Sequence, residues 1–181
     1  MRSKAIVLLL SMTALAGCGG GHSTKRPRQH ANTNADLFLP AHVPRQARGD
    51  ADPAAVKVIA RWLRALRSGD EAKAASFWAT GAKFQNATPV LTIDTPIEKL
   101  AIQKSLTCGA RIREAAGPKP FVVLVFVLTQ RPGGDCGTGT GHTARGAIRV
   151  AHGQIVEWYR LPDDPGQQQP DVAVTEGGSS A

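Results

Sequence analysis

The residues of this chain that could do chemistry are few: the carboxylates Asp94 and Glu157, the cation Arg145, the phenol Tyr159 and the thiols Cys18, Cys108 and Cys136. Glu157 is the only carboxylate in Gln154-Ile-Val-Glu-Trp-Tyr-Arg160, a run that alternates like a half-buried strand. If Ile155, Tyr159 and Leu161 face a pocket, Glu157 faces it too. Desolvation would then raise its pKa towards the range of a general acid or base. In the other register Trp158 lines the pocket and Glu157 lies on a solvated face; both registers stand. Arg145, on the strand before, is its natural partner, because a buried guanidinium needs an acid or an anionic ligand. Asp94 is the second acid that could serve a hydrolase or isomerase. Phe77, Trp78 and Phe84 are aromatics of a size to line the same pocket. The expected pocket is therefore Phe77, Trp78, Phe84, Arg145, Glu157 and Tyr159.

Other patterns point away from metals, cofactors and phosphate loops. His22, His30 and His42 lack ligand spacing, so no metal is expected. Gly137-Thr-Gly-Thr-Gly141 would need a following helix and a lysine to cradle a phosphate. Strand residues follow instead, and the stretch reads as a hairpin; no cofactor is expected. Cys108 and Cys136 each precede a glycine at a strand end. In an oxidising compartment they are expected to pair, closing a loop of about 28 residues worth roughly 3–4 kcal/mol in the chain-entropy model. A metal or catalytic thiol pair lacks ligand spacing nearby, although His142 lies six residues beyond Cys136.

These groups need elements to position them. Asp52-Pro53 caps a first helix whose apolar residues Val56, Ile59, Ala60, Leu63 and Leu66 share one face, with Lys57, Arg61, Arg64 and Ser68 on the other. Gly69 ends it, and Asp70 caps a short second helix over Glu71 to Trp78. Ala82 to Asn86 reads as a first strand and Val90 to Asp94 as an extended arm. Thr95-Pro-Ile-Glu98 is a capping box opening a third helix to about Leu106, with Ile97, Leu100 and Ala101 inward. Cys108 to Glu114 leads into the sheet. Phe121 to Gln130 is its central strand, closed by turn residues Arg131 to Asp135, and His142–Ala151 and Gln154–Leu161 follow.

The N-terminus reads as an address. Met1-Arg-Ser-Lys4 is a positive start, followed by an apolar run too short to span a bilayer. Leu15-Ala-Gly-Cys18 resembles the lipobox of bacterial lipoproteins. That resemblance implies cleavage before Cys18, lipidation of Cys18, and a cell-membrane protein facing outside the cytoplasm. Residues 1–17 are thus expected to be a signal peptide, 18–50 a linker, 51–162 the domain and 163–181 a disordered tail. The domain carries fifteen basic and eight acidic residues within a chain of net charge +8. This balance favours an anionic surface, and no nucleic-acid module interleaves bases with aromatics.

Helix, Gly-Asp, helix, short strand, helix, then a meander ending in Gly153-Gln-Ile-Val-Glu-Trp158 resembles the nuclear transport factor 2-like superfamily, including its polyketide-cyclase-like branch, over about residues 53–162. The resemblance implies an α+β cone: a curved antiparallel sheet wrapped around three N-terminal helices, with a pocket at the open end. It does not imply one activity. The epoxide hydrolase branch pairs an arginine with two aspartates; Val127-Leu-Thr-Gln-Arg131 is similar to its arginine strand, but Gly133 stands where an acid is needed. The steroid isomerase branch needs a tyrosine with an aspartate, and Tyr159 has no matching acid. The dehydratase branch needs paired histidines, whereas His142 and His152 lie at strand ends.

The function expected from sequence is a membrane-anchored domain binding a small molecule or an envelope protein. A small-molecule hydrolase or isomerase and a structural envelope component are the alternatives. Because both alternating sets of the central strand are apolar, a sheet-to-sheet homodimer is expected. The alternative cover is the Leu37-Phe-Leu39 segment.

Overall fold

A computed structural model describes residues 37–163; Cys18, the expected signal peptide and residues 164–181 lie outside the described residues. The first helix, α1 (Pro53–Arg67), starts where the Asp52 carboxylate accepts the Ala54 N–H at 2.9 Å, with proline at the first helical position. Ala55, Ile59, Trp62, Leu63 and Leu66 recur every three or four residues and are buried together. The larger of these side chains are each worth about 1.5–3 kcal/mol of burial. Gly69 ends the helix in the left-handed region (φ +76°), where a side chain would also meet Pro132. Asp70 then caps α2 (Glu71–Ser76) by accepting the Lys73 N–H.

Trp78 was expected to close that helix. It begins β1 (Trp78–Gln85) instead, because the Phe77 carbonyl accepts the Ile155 N–H at 2.8 Å and Trp78 falls into register with Ile155. After β2 (Leu91–Ile93) comes α3 (Pro96–Ser105), whose capping box forms as the sequence indicates: Thr95 Oγ1 accepts from Glu98 N and Glu98 Oε2 from Thr95 N. Its inner positions differ from expectation. Ile97 is 80% exposed, and Ile102 and Gln103 are buried. The last turn of α3 is held by a hydrogen bond from Trp62 Nε1 to Gln103 Oε1, and Lys99 Nζ reaches Thr80 Oγ1 one turn earlier.

The remaining strands are β3 (Gly109–Ala116), β4 (Phe121–Thr129), β5 (Thr143–Ala151) and β6 (Gln154–Leu161). The six strands form one curved, open sheet in the order β2-β1-β6-β5-β4-β3. The result is the α+β cone with three helices that the sequence implies, with one correction. The sheet is mixed, not wholly antiparallel, because β1 runs parallel to β6. Cys108 and Cys136 form a disulfide that fastens the start of β3 to the β4–β5 connection.

The sheet has two apolar faces. The helix side packs Trp62, Trp78, Phe84, Val122, Leu124, Phe126, Ile148 and Trp158 into the main core. On the other side Phe121, Val123, Ala147, Tyr159 and Leu161 are covered by Leu39 and Val43. The segment expected to be the end of a linker is thus a strap over the sheet, here residues 37–50. An Asp50–Ala116 bridge, a hydrogen bond from Arg48 N to Gly117 O, and one from Arg145 Nη2 to Arg45 O secure it. No described helix is long and apolar enough to cross a membrane.

Candidate functional site

A cavity of about 300 Å³ opens between α1 and the helix side of the sheet. Trp62, Leu63 and Leu66 roof it, and Ala110, Phe126, Leu128, Ala144 and Trp158 form its sheet wall. Thr107 and Cys108 close one end, where the disulfide holds the chain in place. Asn86 and Arg160 form the polar end. They are neighbours because Gln85 and Tyr159 pair across the parallel β1–β6 ladder, so the next residue of each strand reaches the same rim.

The polar end carries an ion pair. Arg160 Nη2 donates to both oxygens of Asp163, at 2.9 and 3.1 Å. Burial pulls the Arg160 guanidinium below its usual pKa, with Asp163 opposing and Arg145 adding to the shift. Trp158 is buried and stacks on Phe84 with ring centroids 4.9 Å apart, yet its indole N–H is buried without a partner. It is the one lining residue with such an unsatisfied donor, and its ring, not that N–H, forms the wall. Among the described residues the lining contains no Asp, Glu, His, Lys or Tyr, and the Cys108 thiol is spent in the disulfide. The arrangement can enclose an apolar body and orient an oxygen-bearing head.

The structure puts the six residues expected to line a pocket elsewhere. Trp78 and Phe84 are on the helix side but buried within the core, behind Trp158. Phe77 lies in a different groove, between α1 and α2. Arg145, Glu157 and Tyr159 lie on the opposite face, beneath the strap. The cause is a one-residue bulge. Ile155 pairs with Val150 and Glu157 with Arg149, leaving Val156 as the extra residue. Ile155 therefore faces the helix side, while Glu157, Tyr159 and Leu161 face the other way. The assumption that Ile155 and Glu157 share a face fails there. Asp94, the other expected acid, is exposed at the start of α3, and its N–H binds Glu98.

Glu157 is buried, and both of its carboxylate oxygens are engaged. Its partner is Arg149, not Arg145: Arg149 Nε donates to Oε1 at 2.5 Å, while Tyr159 Oη donates to Oε2 at 2.9 Å and His42 Nε2 lies 3.0 Å from Oε2. Burial alone would raise the Glu157 pKa. The hydrogen bonds from His42, Tyr159 and Arg149, with the charge of Arg149, outweigh it and leave the carboxyl below its usual range. Tyr159 is driven up by burial and then by Glu157, so it remains a donor. The cluster ties the strap to β5 and β6.

A second buried cluster, missed in the sequence, absorbs Arg131. Its guanidinium is fully buried and donates to Glu71 Oε1 at 2.6 Å and to Gln103 O at 3.1 Å. Arg131 thus joins α2, α3 and the β4–β5 connection and does not face the cavity. Among the described residues no three His, Cys, Asp or Glu side chains gather as a metal site requires.

Neither a family model nor a curated protein matches this chain. Among solved structures it is similar to an NTF2-like protein of unknown function from Cytophaga hutchinsonii, at 11% identity over 62% of this chain and 93% of that one, with a TM-score of 0.49. It is also similar to an LEH-like epoxide hydrolase from M. tuberculosis, at 12% identity over 64% and 83% of the two chains, with a TM-score of 0.47. A de novo designed protein with a curved β-sheet is similar at 12% identity over 65% and 91%, with a TM-score of 0.47.

Proposed function

We propose that the chain is a lipid-anchored domain, displayed outside the cytoplasm, that binds a small amphipathic molecule in the helix-side cavity. The observation that carries the reading is the lining: apolar walls and a polar end at Asn86 and at Arg160, which Asp163 holds in place. A volume of about 300 Å³ is at the small end of ligand pockets and suits one short apolar chain with an oxygen head. Hydrolase or isomerase chemistry loses ground because Glu157 and Asp94 are both away from this cavity. The lipobox-like Leu15-Ala-Gly-Cys18 supports the anchor, which Cys18→Ser would test by releasing the protein from membranes.

Calorimetric titration with decanoate and decanol tests the binding. Both probes are expected to bind, decanoate more tightly. Ala144→Leu, which fills the sheet wall, is expected to abolish both, and Arg160→Gln to erase the preference for decanoate. Equal binding by wild type and Ala144→Leu would overturn the assignment.

A further inference from the structure

The outward side of α1 carries a feature that the cavity does not use. Arg61, Arg64 and Ser68 of α1 face Lys73 of α2 across an open groove of about 410 Å³, with Phe77 at its base. Arg61, Arg64 and Lys73 are exposed, whereas the intervening residues Trp62, Leu63 and Leu66 are buried. The helix thus turns its apolar side to the cavity and its cations outward. Of the two nearby carboxylates, Asp70 also lines the groove, where three cations outnumber it, and Glu71 is turned away. Asp70 caps α2 through the Lys73 N–H, and Glu71 binds the buried Arg131. Positive charge is concentrated enough that Arg64 helps depress the pKa of Arg67, after burial and Arg111.

We propose that this groove is a docking surface for an anionic phospholipid bilayer. Its cations sit on long exposed side chains from two helices, and no buried donor converges on one point. Such a site matches a field of phosphates better than a single phosphate ion. Phe77 is half-buried among the cations, and the Lys73 ammonium lies 5.7 Å from its ring centroid. An aromatic edge between cations suits the boundary between headgroups and acyl chains, and a soluble polyanion offers it nothing. The inference does not depend on what the cavity binds.

Co-sedimentation of residues 18–181 carrying Cys18→Ser, with phosphatidylcholine vesicles with and without phosphatidylglycerol, tests it. Binding is expected to need phosphatidylglycerol and to fall as salt rises. Combining Arg61→Gln, Arg64→Gln and Lys73→Gln is expected to weaken it roughly fivefold per charge, on the order of 100-fold in all. Arg61→Gln alone, on an exposed position, gives the fivefold test should the triple variant not fold. Lys83→Gln, Arg113→Gln and Lys119→Gln remove the same charge elsewhere and are expected to leave most of the binding. Equal weakening by the two triple variants would overturn the proposal, since net charge would then suffice. So would unchanged binding by the groove variants, or binding to poly(glycerol phosphate) with none to the vesicles.

Discussion

Replacing Glu157 by Gln removes one charge from the cluster under the strap and keeps the side chain's size. Tyr159 can still donate to the amide oxygen, so that bond weakens from charge-assisted to neutral, a loss of about 1 kcal/mol. Arg149 loses its carboxylate and can face an amide N–H₂, donor against donor. Its side chain is 37% exposed, so water limits the loss to about 1 kcal/mol. His42 is 59% exposed and adds only a few tenths of a kcal/mol. The expected destabilisation is about 2 kcal/mol at neutral pH, or a Tm lower by about 6–10 °C for a domain of this size. The pH dependence sharpens the test. The folded-state pKa of Glu157 is depressed, so its contribution is complete above the unfolded value of about 4.3 and is lost as pH falls through the folded value. Urea unfolding of wild type and Glu157→Gln across an acid series should show a gap that is constant near neutrality and closes in acid. A gap that stays flat or widens in acid would refute the account of this cluster.

Three other outcomes are expected. Cys108→Ser with Cys136→Ser should cost about 3–4 kcal/mol for a 28-residue separation, read by chemical denaturation, while alkylation of the wild type under non-reducing conditions should find neither thiol free. Leu39→Asp with Val43→Asp should lift the strap and bare Phe121, Val123 and Tyr159, so sedimentation should show more association than the wild type does. Glu71→Ala should leave the fully buried Arg131 guanidinium without its acid and lower stability by about 2–4 kcal/mol, more than an exposed pair would.

The helix starts were legible because their signals are local: Asp52-Pro53 and Thr95 to Glu98 each carry their own capping atoms. The final hairpin was legible for the same reason, since His152 and Gly153 both take positive φ. The paired cysteines followed from counting thiols. The cavity was not legible, because it depends on which face each strand residue takes. One bulge at Val156 uncouples Ile155 from Glu157, and nothing in Gln-Ile-Val-Glu announces it. The parallel β1–β6 pairing that brings Asn86 beside Arg160 joins segments some seventy residues apart, beyond the reach of local pattern. Gln103 and Arg131 were hidden by type: polar residues read as surface until each finds a buried partner. The strap was visible only as Leu37-Phe-Leu39, and of those Leu39 is buried while Leu37 is 73% exposed.

The central claim is that the helix-side cavity takes a ligand whose oxygen meets the polar end. The three indole N–H groups report on it separately in an ¹⁵N–¹H spectrum. Trp62 Nε1 is already bonded to Gln103, and neither Trp78 Nε1 nor Trp158 Nε1 has a partner, but of these two only Trp158 lines the cavity. On titration with decanoate the Trp158 indole proton is predicted to move by the largest amount, saturating with the calorimetric affinity, with Trp62 shifting less. Saturable binding that leaves Trp158 unmoved would place the ligand elsewhere and contradict the account.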